Sequence, residues 1–212
     1  METRRRPSIK LTGGPHGIPR AVVHEVQRGR LLDALAEVIA EEGYLDTTVH
    51  KILKRAGISR RTFYEIFADK ESCFMAAYQE AAEHVAALVQ GACRLGGTPE
   101  MRIENGLRAM LEFAEREPHV ARMCIVEAMA AGEQARGRRA ETMEQLTGLV
   151  ADGIEERCEN REEALLRARV FTGGVHEMVY DALARGRAEG ISDMAEEVVA
   201  SYLAPREAVH GG

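Results

Sequence analysis

The sequence predicts an all-α protein with an N-terminal three-helix domain, which contains a helix-turn-helix, and a C-terminal helical bundle. The 212 residues are rich in Ala, Leu, Glu, Arg and Met, whereas aromatic residues make up only 5% and Trp is absent. This composition favours helices over strands. Apolar residues recur three to four positions apart along most of the chain, and no segment alternates as a strand would. With 45% hydrophobic residues, the chain is able to bury a sizeable core.

The N-terminal part opens with an arm and continues with three short helices. Residues 1–20 hold three prolines, three glycines and the basic cluster Arg4, Arg5 and Arg6, without helical periodicity. Two interpretations of this arm stay open, a contact with a minor groove or with phosphates and a solvated tail. Glycines and possible capping residues then delimit three predicted helices, over residues 22–42, 47–55 and 59–67.

The C-terminal part is divided into six further helices by the same kinds of signal. Asp69 and Ser192 are possible N-caps, Thr98-Pro99 combines an N-cap with a first-turn proline, and Asn160 with Glu163 resembles a capping box. The predicted helices cover residues 69–90, 99–116, 118–132, 134–158, 160–187 and 192–204. The sequence therefore predicts about nine helices and three regions, namely an arm (1–20), a helix-turn-helix domain (21–68) and a ligand-binding and dimerisation domain (69–212).

The distribution of charge indicates which part meets a polyanion. The net charge is −6, but residues 1–70 carry 13 Lys/Arg and 9 Asp/Glu, a balance of 13 − 9 = +4. The remaining residues carry 15 Lys/Arg and 25 Asp/Glu, a balance of 15 − 25 = −10. A basic head on an acidic body predicts that only the head binds nucleic acid.

Several function classes lack their sequence signals. The four cysteines (Cys73, Cys93, Cys124 and Cys158) form no C-x-x-C pair and are interpreted as reduced, buried thiols. The chain has no metal-binding His/Glu motif, no phosphate loop and no recognisable nucleophile–base pair. It also has neither a signal-peptide pattern nor an apolar run long enough to cross a membrane. We therefore expect no metal, no cofactor, no membrane contact, no enzymatic activity and a cytoplasmic location.

Residues 47–70 carry the chemistry of the predicted head. Val49, Ile52, Leu53 and Ala56 give its first helix an apolar face, and Gly57 suits a tight turn. In its second helix Phe63, Ile66 and Phe67 face inward, which directs Arg60, Arg61, Thr62, Tyr64 and Glu65 outward or sideways. Arginine is suited to guanine edges and phosphates, and hydroxyls bind phosphates. We expect Lys70, at the start of the next helix, to be exposed and to reach a phosphate.

The run AGISRRTFYxxFxxKE within residues 30–78 resembles the N-terminal signature of the tetracycline-repressor (TetR) family of bacterial regulators. The preceding residues 16–20 are similar to an arm of actinobacterial-type members. The resemblance implies a dimer of about nine helices whose third helix reads DNA. It brings Thr48 and Ser59 into the predicted DNA-binding set, which becomes Thr48, Ser59, Arg60, Arg61, Thr62, Tyr64 and Lys70. Leu53 and Glu65 depart from the usual family pattern.

The last two long helices are predicted to dimerise. The eighth carries a wide apolar band that includes Leu166, Val170 and Val175, and Gly173-Gly174 permits close approach of another backbone. Such helices form either a four-helix dimer interface or part of a larger core. His176 is expected to be a hydrogen-bonded residue of this interface rather than a metal ligand.

The middle helices supply methionines and phenylalanines that either fill the core or line an adaptable apolar pocket. The predicted ligand-binding residues are Met110, Phe113, Met123, Glu127, Met143, Phe171 and Thr172.

The function predicted from these features is that of a homodimer that binds palindromic double-stranded operator DNA. An unidentified small apolar or amphipathic effector releases it, as a repressor is released. The family resemblance implies that the effector favours a spacing of the two heads that no longer fits successive major grooves about 34 Å apart. The alternatives are an enzyme, for which no motif is found, and a helical protein-binding scaffold without DNA or enzymatic activity.

Overall fold

A computed structural model describes residues 19–203, and the prediction of an all-α fold is confirmed. The described chain contains nine α-helices and no strand. They are α1 (Arg20–Glu42), α2 (Val49–Ala56), α3 (Arg60–Ile66), α4 (Lys70–Cys93), α5 (Pro99–Arg116), α6 (Pro118–Arg122), α7 (Glu133–Ile154), α8 (Arg161–Ala184) and α9 (Ala195–Leu203). Apart from Pro19 and Arg20, the predicted basic arm lies outside the described residues.

The predicted helix starts depend on capping residues, and several of these caps are present. The Ser59 side chain accepts a hydrogen bond from the Thr62 N–H at the start of α3, and Asn160 accepts one from Glu163 at the start of α8. The Thr98 hydroxyl accepts the Met101 N–H ahead of α5 at 3.4 Å. Each cap provides an acceptor for one of the first N–H groups of the helix, which have no partner within it.

Two predicted helices differ in the structure. The predicted sixth helix is not continuous to residue 132, because α6 passes into a π-helical turn, Met123–Glu127, followed by a turn to Gly132. The ninth helix was predicted to be a long dimerisation helix over residues 192–204, but the observed helix is shorter. The first three residues of the predicted helix belong to the 3₁₀ turn Ile191–Met194, and α9 itself has nine residues. Local apolar spacing does not distinguish these tighter and wider turns from an α-helix.

The described chain divides into two compact units. Unit 1 consists of residues 19–81 and 116–136, and unit 2 of residues 82–115 and 137–203. The division therefore does not follow the predicted boundary between residues 68 and 69. Both α4 and α7 contribute to each unit, and residues 116–136 return to the unit of the helix-turn-helix.

The core of unit 1 is formed around α1. Leu31, Leu35 and Ile39 of α1 are fully buried, as are Ile52 of α2 and Phe74 of α4. Helix α1 contacts α2, α3, α6 and the π-helical turn. This packing gives the two short helices α2 and α3 the support that helices of seven or eight residues lack in isolation.

Unit 2 has a core in which small residues are frequent. Ala151 and Ile154 of α7 and Ala164 and Ala168 of α8 are almost completely buried. The Thr147 and Thr172 hydroxyls of these two helices lie 2.9 Å apart. The α7–α8 contact in unit 2 therefore includes polar groups that satisfy each other, as buried hydroxyls require.

Candidate nucleic-acid interface

Helices α2 and α3 form a helix-turn-helix whose turn depends on Gly57. Gly57 has φ 63° and ψ 40°, the left-handed conformation that side chains disfavour. Its N–H donates to the Leu53 carbonyl at 2.9 Å and so ends α2. Ser59 then caps α3, and Thr48 caps α2 by accepting the Lys51 N–H at 3.4 Å. The local geometry of both helices thus follows from residues within the motif.

The inner face of α3 is anchored by aromatic rings. Phe63 is fully buried and Phe67 is 7% exposed, and their ring centroids are 5.8 Å apart. On α2 the residues Ile52, Leu53 and Ala56 are buried. The predicted inward set is therefore confirmed for Phe63 and Phe67, and Leu53 occupies a buried place despite its departure from the family pattern.

The outer face of α3 presents polar side chains to solvent. Arg60, Arg61 and Tyr64 are exposed, and the Arg61 side chain is 87% exposed. Thr48 and Ser59 are also exposed, whereas Thr62 is half-buried, with its hydroxyl 2.9 Å from that of Ser59. Five of the seven predicted DNA-binding residues are thus exposed, four of them on α3 or at its N-cap and Thr48 at the N-cap of α2.

Charge on this face is only partly compensated. Arg61 Nε lies 2.9 Å from Glu65 Oε1, one turn further along α3. Arg60 has no ion-pair partner within residues 19–203. In contrast, Arg55 on α2 pairs with Glu37 and Glu41 of α1, and those hydrogen bonds raise its pKa. Among residues 19–203, the unpaired positive charges of the motif are therefore Lys54 on α2 and Arg60 on α3, and Arg61 is held by Glu65.

The prediction that Lys70 is exposed is wrong. Its Nζ donates to the Tyr44 carbonyl at 2.8 Å and to the Thr47 carbonyl at 2.9 Å, and lies 3.9 Å above the Tyr44 ring. The residue is half-buried, and this burial lowers its pKa. Two of the three ammonium donors are thus engaged with the loop before α2, which leaves one for another acceptor.

The same loop is held from its other side by Glu127. The side chain of Glu127, at the end of the π-helical turn, is 14% exposed and accepts the Tyr44 N–H at 3.0 Å. Arg122 lies 3.7 Å from its other oxygen. Predicted as a ligand-binding residue, Glu127 thus belongs to unit 1 and already has partners that satisfy its charge. Sequence reasoning missed this contact, because 83 residues separate Tyr44 from Glu127.

The other predicted ligand-binding residues are distributed over both units. Met123 is fully buried in unit 1. In unit 2, Phe113 lies against His84 with centroids 5.7 Å apart, and Phe171 against Tyr202 at 4.4 Å. Thr172 is bonded to Thr147, whereas Met110 and Met143 are half-buried. The structure thus gives Phe113, Phe171 and Thr172 partners within the packed protein.

Unit 2 contains an apolar cavity at another place. The cavity of about 10 Å³ is hardly large enough for a single water molecule. None of the seven predicted ligand-binding residues lines it. Its walls come from α5, α8, α9 and the 3₁₀ turn before α9, namely Leu107, Leu111, Val175, Met178, Val179, Ile191, Met194 and Val198.

Metal-ligating clusters and membrane-spanning helices are absent from the part of the chain that the structure describes. Within residues 19–203, no three His, Cys, Asp or Glu side chains form a group suited to a metal ion. No helix in this range combines the length and the apolar character of a membrane span.

Residues 31–77, which include the whole helix-turn-helix, match the family model described as bacterial regulatory proteins, tetR family. The helix-turn-helix part of this chain is thus that of the TetR family. This match confirms the resemblance drawn from the AGISRRTFY run. The actinobacterial-type qualifier stays a prediction.

Curated relatives of this TetR-family chain are similar over different lengths. The HTH-type transcriptional activator FasR of Mycolicibacterium smegmatis is 26% identical over 115 residues, which are 54% of this chain and 52% of that protein. The chain thus spans about half the length of this relative. The nucleoid occlusion factor SlmA of Aliivibrio fischeri is 28% identical over 77% of this chain and 81% of its own length. The fatty acid metabolism regulator protein of Bacillus subtilis is 41% identical, over 24% of this chain and 26% of that protein.

Solved structures share the fold of the TetR-family chain. The fatty acid degradation regulator FadR from Bacillus halodurans has a TM-score of 0.75 at 19% identity, over 92% of this chain and 98% of that one. FadR from Bacillus subtilis, solved in complex with stearoyl-CoA, has a TM-score of 0.73 at 19% identity, over 83% of this chain and 97% of that one. At these identities the likeness concerns the fold.

Proposed function

We propose that this TetR-family chain is a DNA-binding transcriptional regulator that binds a palindromic operator as a homodimer and is released by a small amphipathic effector. One observation carries the proposal. The solvent-facing side of α3 presents Arg60, Arg61 and Tyr64 on a short helix that is fixed from behind by the buried Phe63 ring. A rigid helix with exposed arginines and hydroxyls is the arrangement that a major groove accepts.

The proposed contacts divide into base and phosphate contacts. Arg61 lies in the first turn of α3, and its long, 87% exposed side chain has the reach for a base edge. Thr48, Ser59, Arg60, Thr62 and Tyr64 are assigned to phosphates or neighbouring bases. Glu65 competes with DNA for Arg61, because the carboxylate pairs with Arg61 and repels phosphates.

Lys70 is retained in the proposed interface with a modified role. Its contacts to the Tyr44 and Thr47 carbonyls position the loop that leads into α2. Its remaining donor is available to a phosphate at the N-terminus of α4. We therefore propose that Lys70 acts mainly as a positioning residue for the head.

The dimer is proposed from the exposed face of α8. Leu166 and Val170 are 64% and 68% exposed. A Cβ built at Gly173 or Gly174 would meet no atom within 4 Å, so the next turn of α8 offers open space beside these side chains. Large apolar side chains next to glycines on a helix allow a second helix to approach closely and be buried. A dimer through this face would give the two heads that a palindromic operator requires.

The effector is proposed from the composition of unit 2 and from its relatives. Half-buried Met110, Met143 and Phe113 are adaptable apolar groups. The FadR structure similar to this chain contains stearoyl-CoA, an amphipathic molecule. Because the cavity lined by Leu107 and Val179 holds no more than a water molecule, an effector has to part the helices of unit 2. Binding of this kind shifts the protein between two conformations, of which only one fits the operator.

The test of this function is DNA binding by the full chain. Fluorescence anisotropy with a duplex taken from the region upstream of the chain's own gene should show saturable binding. A scrambled duplex of equal length should bind at least about tenfold more weakly, since the affinity of a regulator for its specific site exceeds its affinity for non-specific DNA by much larger factors. Equal affinity for both duplexes, or binding of neither, would favour the alternative of a helical protein-binding scaffold.

A further inference from the structure

One arginine of unit 2 has a cationic group without a carboxylate partner. Nη2 of Arg139 on α7 lies 2.9 Å from Nε2 of His176 on α8. No Asp or Glu of residues 19–203 forms an ion pair with Arg139, and its Nε is buried without a hydrogen-bond partner. A guanidinium has five N–H donors and always carries its charge. A half-buried guanidinium with one neutral acceptor is therefore an incomplete site, because unpaired buried charge is unfavourable.

The lack of a carboxylate at Arg139 contrasts with two other arginines of unit 2, which have one. The sequence has 34 Asp and Glu against 28 Lys and Arg, so anionic partners are plentiful. The adjacent Arg138 pairs with Glu141 at 2.8 Å, and Arg187 pairs with Asp181 at 3.2 Å. Arg139 thus stands out as a half-buried cation whose natural counter-charge does not come from the described residues.

His176 accepts one hydrogen bond from Arg139 and so orients its guanidinium. Because arginine has no acceptor, His176 must be neutral at Nε2 and accept the hydrogen bond there. Burial, followed by the positive charge of Arg139, lowers the pKa of His176, and Glu177 opposes this effect. The neutral ring then carries its proton on Nδ1, and no residue from 19 to 203 provides an acceptor for it. The contact with His176 therefore leaves the other N–H donors of Arg139 for an acceptor that carries negative charge.

The turns next to this pair are apolar or internally satisfied. Met143 lies one turn beyond Arg139 on α7 and is half-buried, and Val179 lies one turn beyond His176 on α8 and is 2% exposed. Thr172, one turn before His176, already bonds to Thr147. A ligand at the pair would therefore meet the guanidinium, the half-buried Met143 and the exposed Tyr180, whose ring centroid lies 6.5 Å from that of His176.

We propose that Arg139, oriented by His176, binds the carboxylate of an amphipathic effector whose apolar part lies along α7 and α8. The proposal rests on the proposed function, in which unit 2 binds the effector, and names the chemical class of that effector. The guanidinium would donate two parallel hydrogen bonds to a carboxylate, the geometry that arginine favours. The carboxylate would also provide the acceptor that the buried Nε lacks.

The test uses carboxylates and their neutral analogues as probes. Isothermal titration of the full chain with octanoate, laurate and hydrocinnamate should show binding of at least one, and the corresponding alcohol should bind more weakly. Arg139→Gln should weaken carboxylate binding by about tenfold to a hundredfold, the worth of hydrogen bonds to a charged group. It should leave alcohol binding unchanged, and Arg139→Lys should restore part of the loss.

Matched controls separate a binding role from a structural one. Arg138→Gln removes the same charge from the same turn of α7 but breaks the Glu141 pair, and it should bind carboxylates like the wild type. Both glutamine variants should keep the wild-type helix content and dimer mass. Addition of the bound carboxylate should shift the ¹⁵N resonance of His176 Nδ1 in the wild type but not in Arg139→Gln.

Several results would overturn the proposal. One is that no carboxylate of the series binds, and another is that Arg139→Gln and Arg138→Gln bind carboxylates with equal affinity. A third is that Arg139→Gln dissociates the dimer, because the counter-charge of Arg139 would then be a carboxylate of the partner subunit. If inorganic phosphate or acetate binds as tightly as octanoate, the effector does not need an apolar part and the proposed amphipathic class is contradicted. If the wild type binds its operator but no carboxylate, this inference fails and the proposed function stands. If the wild type binds octanoate through Arg139 but binds no operator, the carboxylate site stands and the proposed function in DNA binding fails.

Discussion

Lys70 holds together the loop between α1 and α2. Its ammonium bonds the carbonyls of Tyr44 and Thr47, while Glu127 accepts the Tyr44 N–H from the other side. The backbone N–H and the carbonyl group of Tyr44 are therefore both held by side chains. Because Thr48 directly follows this loop and caps α2, these contacts position the whole helix-turn-helix.

Replacing Lys70 by methionine should destabilise the protein. The change removes two hydrogen bonds from a charged donor and leaves two carbonyls without it, which corresponds to about 1–3 kcal/mol in the free energy of unfolding. Chemical denaturation followed by circular dichroism measures this difference. Lys54→Met is the matched control, because Lys54 is exposed and makes no ion pair with any residue from 19 to 203, and it should change stability by less than about 0.5 kcal/mol. Equal stability of the two variants would show that the Lys70 contacts do not hold the loop.

The surroundings of individual residues could be predicted from sequence only where they depend on local spacing. Phe63 and Phe67 are four residues apart on α3, so their shared inward face follows from the helical period, and the exposure of Arg60 and Arg61 follows with it. The acceptors of Lys70 lie 26 and 23 residues away and are backbone carbonyls, which any sequence provides. No local sequence pattern predicts the contacts of Lys70 with these carbonyls.

At the scale of elements, the turn between α2 and α3 depends on one glycine. Gly57→Ala should lower the free energy of unfolding by about 1–2 kcal/mol, since a left-handed conformation is unfavourable for a residue with a Cβ. The new Cβ would also lie 3.1 Å from Arg30 Nη2, which donates to the Ala56 carbonyl.

Gly137→Ala provides the opposite control for this prediction. Gly137 is exposed within α7, lacks a positive φ and has no atom within 4 Å of an added Cβ. The replacement should stabilise the protein by about 0.5–1 kcal/mol. Thermal unfolding of both variants checks the pair, and a Gly57→Ala protein that melts at or above the wild-type temperature would contradict the role of the turn.

The elements themselves were largely predictable, whereas their irregular parts were not. The caps at Ser59, Thr98 and Asn160 mark helix starts because the chemistry of a cap lies in one residue. The π-helical turn Met123–Glu127 has no such marker, since one wider turn hardly changes the apolar period. It ends in Glu127, whose contact to Tyr44 joins residues 116–136 to the helix-turn-helix within unit 1.

At the scale of the whole molecule, the proposed function needs two copies of the chain. Val170→Asp should place a charge on the exposed apolar face of α8 and convert a dimer into monomers, because a buried unpaired carboxylate is strongly unfavourable. Analytical ultracentrifugation at micromolar concentration measures the mass. Leu149→Asp, at an exposed position of α7, should leave the mass of the dimer unchanged. A wild-type protein that is a stable monomer would contradict the dimer.

The function of the whole molecule was only partly readable from the sequence. The helix-turn-helix is local, so its residues and the family resemblance could be identified from the consecutive residues 31–77. The predicted ligand-binding residues were chosen by type along separate helices, and the fold gives Glu127 and Thr172 other partners. Arg139 was not predicted, because a missing counter-charge becomes visible only in three dimensions.

The most direct test of the central claim is the operator affinity of the wild type and of Arg61→Ala as a function of salt concentration. If α3 reads bases through Arg61, the variant should lose about 1–3 kcal/mol per half-site on the operator. It should lose far less on a scrambled duplex, so the preference between the two falls. Arg187→Ala, which removes an exposed arginine from unit 2, should retain the wild-type affinity, preference and salt slope. If Arg61→Ala binds operator and scrambled DNA like the wild type at every salt concentration, Arg61 does not read the operator and the assignment of α3 as the recognition helix is contradicted.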